Sequence, residues 1–463
     1  MSKHTSHLII LLVATAFFME YIDSTALVTA LPTIASDFRV PGNRMGIGIT
    51  AYMISMAVFI PASGWVAGRY GTRTVFASAV MGFIIASVLC SVSRGLTWFA
   101  IMRFVQGMAG AMMVPVGRLA VLKTCEKKDL VNAIAWITTP GLVAPLIGPP
   151  LGGLLTTCLS WHWIFFINVP LGLIVFLLAT RYLPRRSRGE AVGGCRLDVI
   201  GFILSGVALS GLMYGLELCG GNGRALLTAA GVMALSVGLL WLNVRHAART
   251  PSPLIDYSVM RIPAYGTVVA FGLISMMVIG AAPFLLPMMF QDGLSLDALH
   301  AGLLLLALMA GNLITKPFTV WMMRRWKGRH ILFVNALLLS LATAACALFR
   351  AGTPWVLIIG CLFLMGCFRS VQLSTLHTVA YMDVPQARMN DANTIYSTGL
   401  QLASGLGIGL GALALRCSEA VSGSAAPLSH YHAAFAFVGA FGLLALIGYS
   451  RMKIEHEICE SPS

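Results

Sequence analysis

The sequence predicts an all-α protein that crosses a lipid bilayer many times, and three observations predict it. Composition is the first: 58% of the 463 residues are hydrophobic, 10% are charged, and mean hydropathy is +0.84. A soluble domain carries about a quarter charged residues. The second is a succession of apolar runs, each of the roughly 20 residues that a helix needs to cross the hydrocarbon core. The third is the distribution of basic residues, which fall mainly in alternate connections between the runs. The formal net charge of +14 is read through that distribution, as loops held on one face of a membrane, and not as a nucleic-acid surface.

Six runs come first, near 7–33, 46–68, 74–93, 97–120, 131–156 and 163–182. Two follow, near 198–217 and 225–245, and then six more, near 264–290, 298–321, 331–349, 354–379, 393–415 and 431–450. Fourteen spans put both termini on one side. Twenty-two of the 31 Lys and Arg then lie on that side and six on the other, so both termini are expected in the cytoplasm. The longest connection, Leu183 to Gly194, is basic and Gly-rich and divides the chain. A second polar connection, Arg245 to Ala264, contains Pro251, Pro253 and Pro263. The expected organisation is an N-terminal six-helix bundle over 1–182. A basic linker, two extra transmembrane helices and a connecting loop fill 183–263, and a C-terminal six-helix bundle with a cytoplasmic tail fills 264–463.

A six-plus-six layout is the plan of many secondary transporters, with the site near the midplane. No GxxxxGK[ST] phosphate loop occurs, and no soluble stretch is large enough for a nucleotide-binding domain. An ion gradient is then the expected energy source. The ten Cys are scattered without a CxxC or a Cys/His cluster of metal spacing. No disulfide framework, metal site, cofactor, nucleic-acid partner or nucleophile–base set is expected, and the chain does not read as an enzyme.

The first run contains the most informative residues. Glu20 and Asp23 stand near the middle of a helix long enough to cross the bilayer, three residues apart and so on one face. Each ionised group there costs roughly 2.5 kcal/mol or more to insert, so such acids face a bundle interior or a water-filled cavity. Arg103 in the fourth run carries the same cost and needs a partner. It is either a functional group paired with that acidic pair or a side chain that snorkels to the interface marked by Trp98. In the second half, Arg369 near the middle of the twelfth run is the best candidate for an anion-binding group, with Gln372 three residues on. Gln401 could line a cavity from the thirteenth run. Lys316 and Asp391 read as interfacial residues, and His377 as a packing residue with a local hydrogen bond or a group that titrates near neutral pH.

Several motifs resemble those of the major facilitator superfamily. The stretch Gly64-Trp-Val-Ala-Gly68-Arg69-Tyr-Gly71-Thr72-Arg73 is similar to the G-x-x-x-D-R-x-G-R-R signature after the family's second helix, and Met322 to Arg329 looks like a degenerate second copy. Gly68 stands where the family has an acid, and Thr72 replaces a basic position. Arg103-Phe-Val-Gln106-Gly107 resembles the R-x-x-Q-G signature associated with proton transfer. Gly148-Pro149-x-x-Gly152-Gly153 resembles the antiporter motif of the superfamily's exporters, with Ala144 where a Gly often sits. Trp161-His-Trp-Ile-Phe-Phe-Ile-Asn-Val-Pro-Leu-Gly172 resembles the fourteen-helix drug:proton antiporter family. Ala111 to Leu119 and Phe59 to Trp65 are similar to its multidrug-resistance subgroup.

The resemblance covers nearly the whole chain and implies a proton-coupled exporter of small organic compounds, of the multidrug type, in a bacterial inner membrane. It assigns Asp23 the family's acid position, followed by Thr25 and Ala30-Leu31-Pro32, and gives it Arg103 as partner. Gln106, Arg369, Gln372 and Gln401 become substrate-cavity candidates. Gly64, Arg69, Gly71, Arg73, Gly148, Pro149, Gly152 and Gly153 carry gating and antiport. Glu20 departs from the pattern and stays open as a second proton site, a charge partner or a substrate contact. Three intramembrane cations, Arg103, Lys316 and Arg369, leave a second substrate class open, an anionic metabolite such as a carboxylate or siderophore. The expected partners are the substrate, protons and the bilayer. A monomer is expected, with accessory efflux proteins left open.

Overall fold

The computed structural model describes residues 3–40, 45–125, 130–184, 197–218, 223–251, 253–296, 298–422 and 427–452. The basic linker expected after the sixth run falls mostly on residues outside this set. Every regular element among the described residues is helical. Apolar runs of this length satisfy all their backbone groups internally only as helices, because the hydrocarbon core offers no water.

The first stretch of chain forms α1 (Lys3–Asp37), α2 (Gly46–Tyr70), α3 (Thr72–Ser91) and α4 (Leu96–Thr124). Gly71 alone separates α2 from α3, at φ 85°, a left-handed backbone that glycine adopts without steric cost. The expected run 131–156 is divided at Thr139 into α5 (Leu130–Thr138) and α6 (Pro140–Cys158). Pro140 lacks the N–H to continue the preceding helix but fits the first position of the next. There follow α7 (Trp163–Phe166), α8 (Asn168–Tyr182), α9 (Val199–Leu218), α10 (Gly223–Ala247) and α11 (Pro263–Met288).

The expected run 298–321 is also broken. It forms α12 (Ala298–Ile314) and α13 (Lys316–Arg325), bent by 40° at Thr315, just before Pro317. The remaining helices are α14 (Gly328–Ala345), α15 (Trp355–Met382), α16 (Met389–Ser422), α17 (Pro427–Gly442) and α18 (Leu444–Arg451). Eleven helices among the described residues are long and apolar enough to cross a membrane, or twelve if the bent pair α12–α13 is one span, and Val199–Gly215 is a shorter apolar helix. The chain is a multi-pass membrane protein.

The chain packs as two units. The first contains Met1–Gly211, Leu235–Tyr257 and Gln386–Thr398. In it α1 packs along α6, α8 and α4, while α4 also packs along α2 and α3. The second contains Leu212–Ala234, Ser258–Pro385 and Gly399–Ser463. There α12 packs along α15, α14 along α15 and α17, and α11 along α18. Small residues let these backbones approach closely, which is how helices gain contact when lipid is as apolar as the partner helix. A Cβ at Gly107 of α4 would stand 2.5 Å from the Tyr52 carbonyl oxygen of α2. Gly311 of α12 and Gly366 of α15 likewise face each other's helix backbone.

Candidate functional site

Asp23 is completely buried in the first unit, and donors from two other helices fill both its oxygens. Arg103 Nη1 of α4 reaches Asp23 Oδ2 at 2.7 Å, a salt bridge with both side chains buried. Gln106 Nε2, one turn along α4, donates to Asp23 Oδ1 at 3.0 Å. Asn168 Nδ2, at the start of α8, donates to the same oxygen at 2.7 Å. The donors are themselves tied together. Arg103 Nη1 also bonds Gln106 Oε1 at 2.6 Å, and Ser87 Oγ of α3 accepts from Gln106 at 2.9 Å and from Asn168 at 3.3 Å. The Arg103 guanidinium lies 4.4 Å from the centroid of the Tyr52 ring, a cation–π contact in a desolvated place.

Glu20, one turn before Asp23, is also buried at 6% exposure. Its situation is the reverse, because no cation pairs with it among the described residues, and its Oε2 and the neighbouring Tyr52 hydroxyl form no well-aligned hydrogen bond. The two groups flank Gly110: a Cβ there would stand 3.0 Å from the Tyr52 hydroxyl and 3.5 Å from Glu20 Oε2. Two carboxylates are therefore buried on one helix, and only one is ion-paired.

The glycines of α6 meet α1 immediately beyond the acids. A Cβ on Gly148 would collide with Thr25, and one on Gly152 with the Ala26 carbonyl and Thr29. A Cβ on Gly153 would meet nothing within 4 Å, so this last position of the motif has no packing role. Pro149 lies within α6, and its side chain is outside the described residues. Gly64 of α2 is a contact point as well, for its carbonyl accepts from Asn390 Nδ2 of α16 at 2.6 Å. A Cβ at Gly64 would strike Thr394 Oγ1. Asn393 Nδ2 bonds the Pro115 carbonyl at 2.8 Å, and Arg118 Nη1 bonds Ser397 Oγ at 3.2 Å. Arg69 is exposed beside the Trp65 and Tyr70 rings, and Arg73 is half-buried.

The second unit holds different polar groups. Gln372 of α15 is buried and donates to the Tyr449 hydroxyl at 3.2 Å and Ser275 Oγ at 3.3 Å, while its Oε1 accepts from Asn335 Nδ2 at 2.8 Å. Arg369 is not in that network, and its Nε and Nη1 are buried without hydrogen-bond partners. Lys316 is buried, not interfacial, and its Nζ donates to Ser374 Oγ at 3.0 Å. Both amide atoms of buried Asn312 also lack partners. Gln401 is half-buried and makes no hydrogen bond with these groups.

The arrangement thus joins Asp23, Arg103 and Gln106. It places Gln106 with the ion pair. It separates Gln372 from Arg369. Asn168, Ser87 and Tyr52 are participants that sequence reasoning missed. Asn168 stands inside the Trp161–Gly172 string, which the sequence marks only through its resemblance to the antiporter family.

A family model, Major Facilitator Superfamily, matches residues 13–408. The chain belongs to the major facilitator superfamily. It is a membrane transporter of small molecules. Among proteins of this superfamily it is similar to the "Putative multidrug resistance protein MdtD" of Escherichia coli (strain K12), 34% identical over 405 residues, 87% of this chain and 85% of that protein. The protein of the same name in Pectobacterium carotovorum subsp. carotovorum (strain PC1) is 34% identical over 411 residues, 87% of this chain and 86% of that one. Two solved structures share the superfamily fold. The human organic anion transporter MFSD10 matches with a TM-score of 0.66 at 14% identity, covering 96% of this chain and 99% of that one. The proton:xylose symporter XylE matches with a TM-score of 0.66 at 14% identity, covering 96% and 95%.

Proposed function

We propose that this chain is a proton-coupled exporter of small organic compounds, of the multidrug efflux type, in a bacterial inner membrane. The observation that carries the reading is the pair of buried carboxylates on α1, of which only Asp23 has a counter-ion. A buried acid without a fixed partner is the group a proton gradient can act on. The similarity to multidrug resistance relatives at 34% identity supports the substrate class. The fit of Gly148 and Gly152 against α1 supports export, because it ties the antiporter-like motif to the helix that bears the acids.

Fourteen spans belong to this reading, with α5–α6 as one interrupted crossing and α9 as another. Both termini face the cytoplasm by the bias of the basic loops, and the transporter acts as a monomer. The test uses the purified chain in proteoliposomes with an imposed proton gradient. Ethidium should move against the proton flow, and ethidium added without a gradient should drive protons. No movement in either direction rejects the reading.

A second substrate class is favoured by one observation, the buried Nε and Nη1 of Arg369 without partners, with the Lys316–Ser374 bond little more than a turn along α15. Such a set suits the carboxylate of an anionic metabolite. Arg369→Gln should then abolish citrate export and leave ethidium export intact. The opposite pattern rejects the anionic class.

A further inference from the structure

Asp23 and Glu20 differ in what holds them. Asp23 is bonded through both oxygens to Arg103, Gln106 and Asn168. Protonating it would leave a guanidinium that is only 1% exposed without its counter-charge, and a buried charge left unpaired is strongly destabilising. Every partner of Asp23 also lies in the same packing unit, on α4 or α8. Alternating access is largely a rigid-body movement of one bundle against another. Contacts internal to a unit survive such a movement, so nothing in the transport cycle releases Asp23.

Glu20 has no such restraint. No cation pairs with it among the described residues, and the polar group that its carboxyl meets is the Tyr52 hydroxyl, without a well-formed hydrogen bond. Gly110 leaves the space next to both groups open, since a side chain there would run into them. The charged groups nearest Glu20 are on α1 and α4. Asp23 on its own helix and Arg103 on α4 neutralise each other. Arg118, further along α4, bonds Ser397. Neither α5 nor α6, which pack on α1, carries a charged residue. The only charged residue of α8 is Arg181 in its last turn. Tyr52 connects the two acids, with its ring face against Arg103 at 4.4 Å and its hydroxyl beside Glu20.

We propose that Glu20 carries the exchanged proton, with Tyr52 as its positioning residue, while Asp23 stays ionised as a fixed anchor for Arg103. This rests on the proton-coupled reading above and reverses the ranking that the sequence suggests. As substrate binds from the cytoplasm, the Glu20 carboxylic acid gives its proton to water on that side. The carboxylate then pairs with a cationic or hydrogen-bond-donating group of the substrate. On the other side the substrate leaves and a proton from outside returns to the same oxygen. Charge and protons balance at each step, and Asp23 neither gains nor loses one.

The test is pH-difference infrared spectroscopy of the full chain in phosphatidylcholine vesicles, comparing wild type with Glu20→Gln, Glu20→Asp and Asp23→Asn. The titrating carboxylic-acid C=O band should vanish in Glu20→Gln, reappear at a shifted frequency in Glu20→Asp and persist in Asp23→Asn. A Glu20→Gln spectrum superimposable on wild type overturns the proposal, as does loss of the band in folded Asp23→Asn. If Asp23→Asn does not fold, the two Glu20 variants decide it. Ethidium-driven proton release, measured in parallel, should fall in Glu20→Gln to the level of protein-free vesicles. Retained release overturns the proposal. A wild type that releases no protons rejects the proton-coupled reading for such cations, and the infrared result still decides where the titrating proton resides.

Discussion

Asn168 Nδ2 stands 2.7 Å from Asp23 Oδ1, so an uncharged amide at the start of α8 helps hold the charge in the middle of α1. A hydrogen bond to a charged group contributes about 1.5–3 kcal/mol. Asn168→Ala should therefore lower stability in detergent by an amount of that order, read as a fall in the thermal unfolding midpoint. Asn168→Asp should be worse, because it brings a second carboxylate against Asp23. A midpoint unchanged in Asn168→Ala would remove α8 from the ion-pair network.

The Asp23–Arg103 pair is best measured as a pair. Breaking a buried ion pair from one side costs about 3–5 kcal/mol, because the remaining charge is stranded, whereas replacing both partners costs far less. Asp23→Asn and Arg103→Met should each destabilise strongly, and the double variant should recover much of the loss. A double-mutant cycle by denaturant unfolding in micelles checks this. Simple additivity would mean that the two side chains act independently.

The glycines of α6 make a graded prediction. Gly148→Ala and Gly152→Ala push a methyl group into Thr25 and Ala26, an overpacking that costs about 1–3 kcal/mol. Both should reduce stability and transport, since α1 and α6 can no longer approach as closely. Gly153→Ala meets nothing within 4 Å and should behave as wild type in the same assays. Equal damage at all three positions would show that the motif acts through backbone flexibility and not through close approach.

Outside the spans, Asp198 precedes α9 and accepts from Gly201 N–H at 2.8 Å, His246 Nε2 at 2.8 Å and Leu254 N–H at 3.3 Å. Burial is the largest single influence and pushes this carboxyl up. The bonds from Gly201, His246 and Leu254 together outweigh it and hold the group below its ordinary value of 3.8. A depressed carboxylate contributes stability that is complete above its unfolded value and is lost as pH falls through the folded one. The stability difference between wild type and Asp198→Asn should thus be constant near neutral pH and shrink only below about pH 4. Unfolding midpoints measured across that range check the sign. A difference that grows on acidification would contradict it.

The succession of apolar helices was legible because hydropathy is a one-dimensional property. The Asp23–Arg103 pair was legible for a related reason, since two charges in apolar runs have few places to go except to each other. The bonds of Gln106 to that pair were not legible, because an amide gives no sign of which neighbour it will serve. It lies one turn from Arg103, and that spacing was the available clue. Asn168 and Tyr52 carry no charge to demand a partner, so only the folded helices reveal them. The contact of Asn390 with Gly64 joins residues 326 positions apart, a separation that no local pattern encodes. The break at Thr315 was foreshadowed by Pro317, whereas the burial of Lys316 beside Ser374 depends on where α15 runs.

Gly71 has a consequence for how the two crossings are coupled. With α2 ending at Tyr70 and α3 starting at Thr72, one residue connects them, and a residue spans at most about 3.6 Å. The end of one helix is thus leashed to the start of the next, with Arg69 and Arg73 flanking the turn. The φ of 85° at Gly71 makes that leash costly for any residue that carries a side chain.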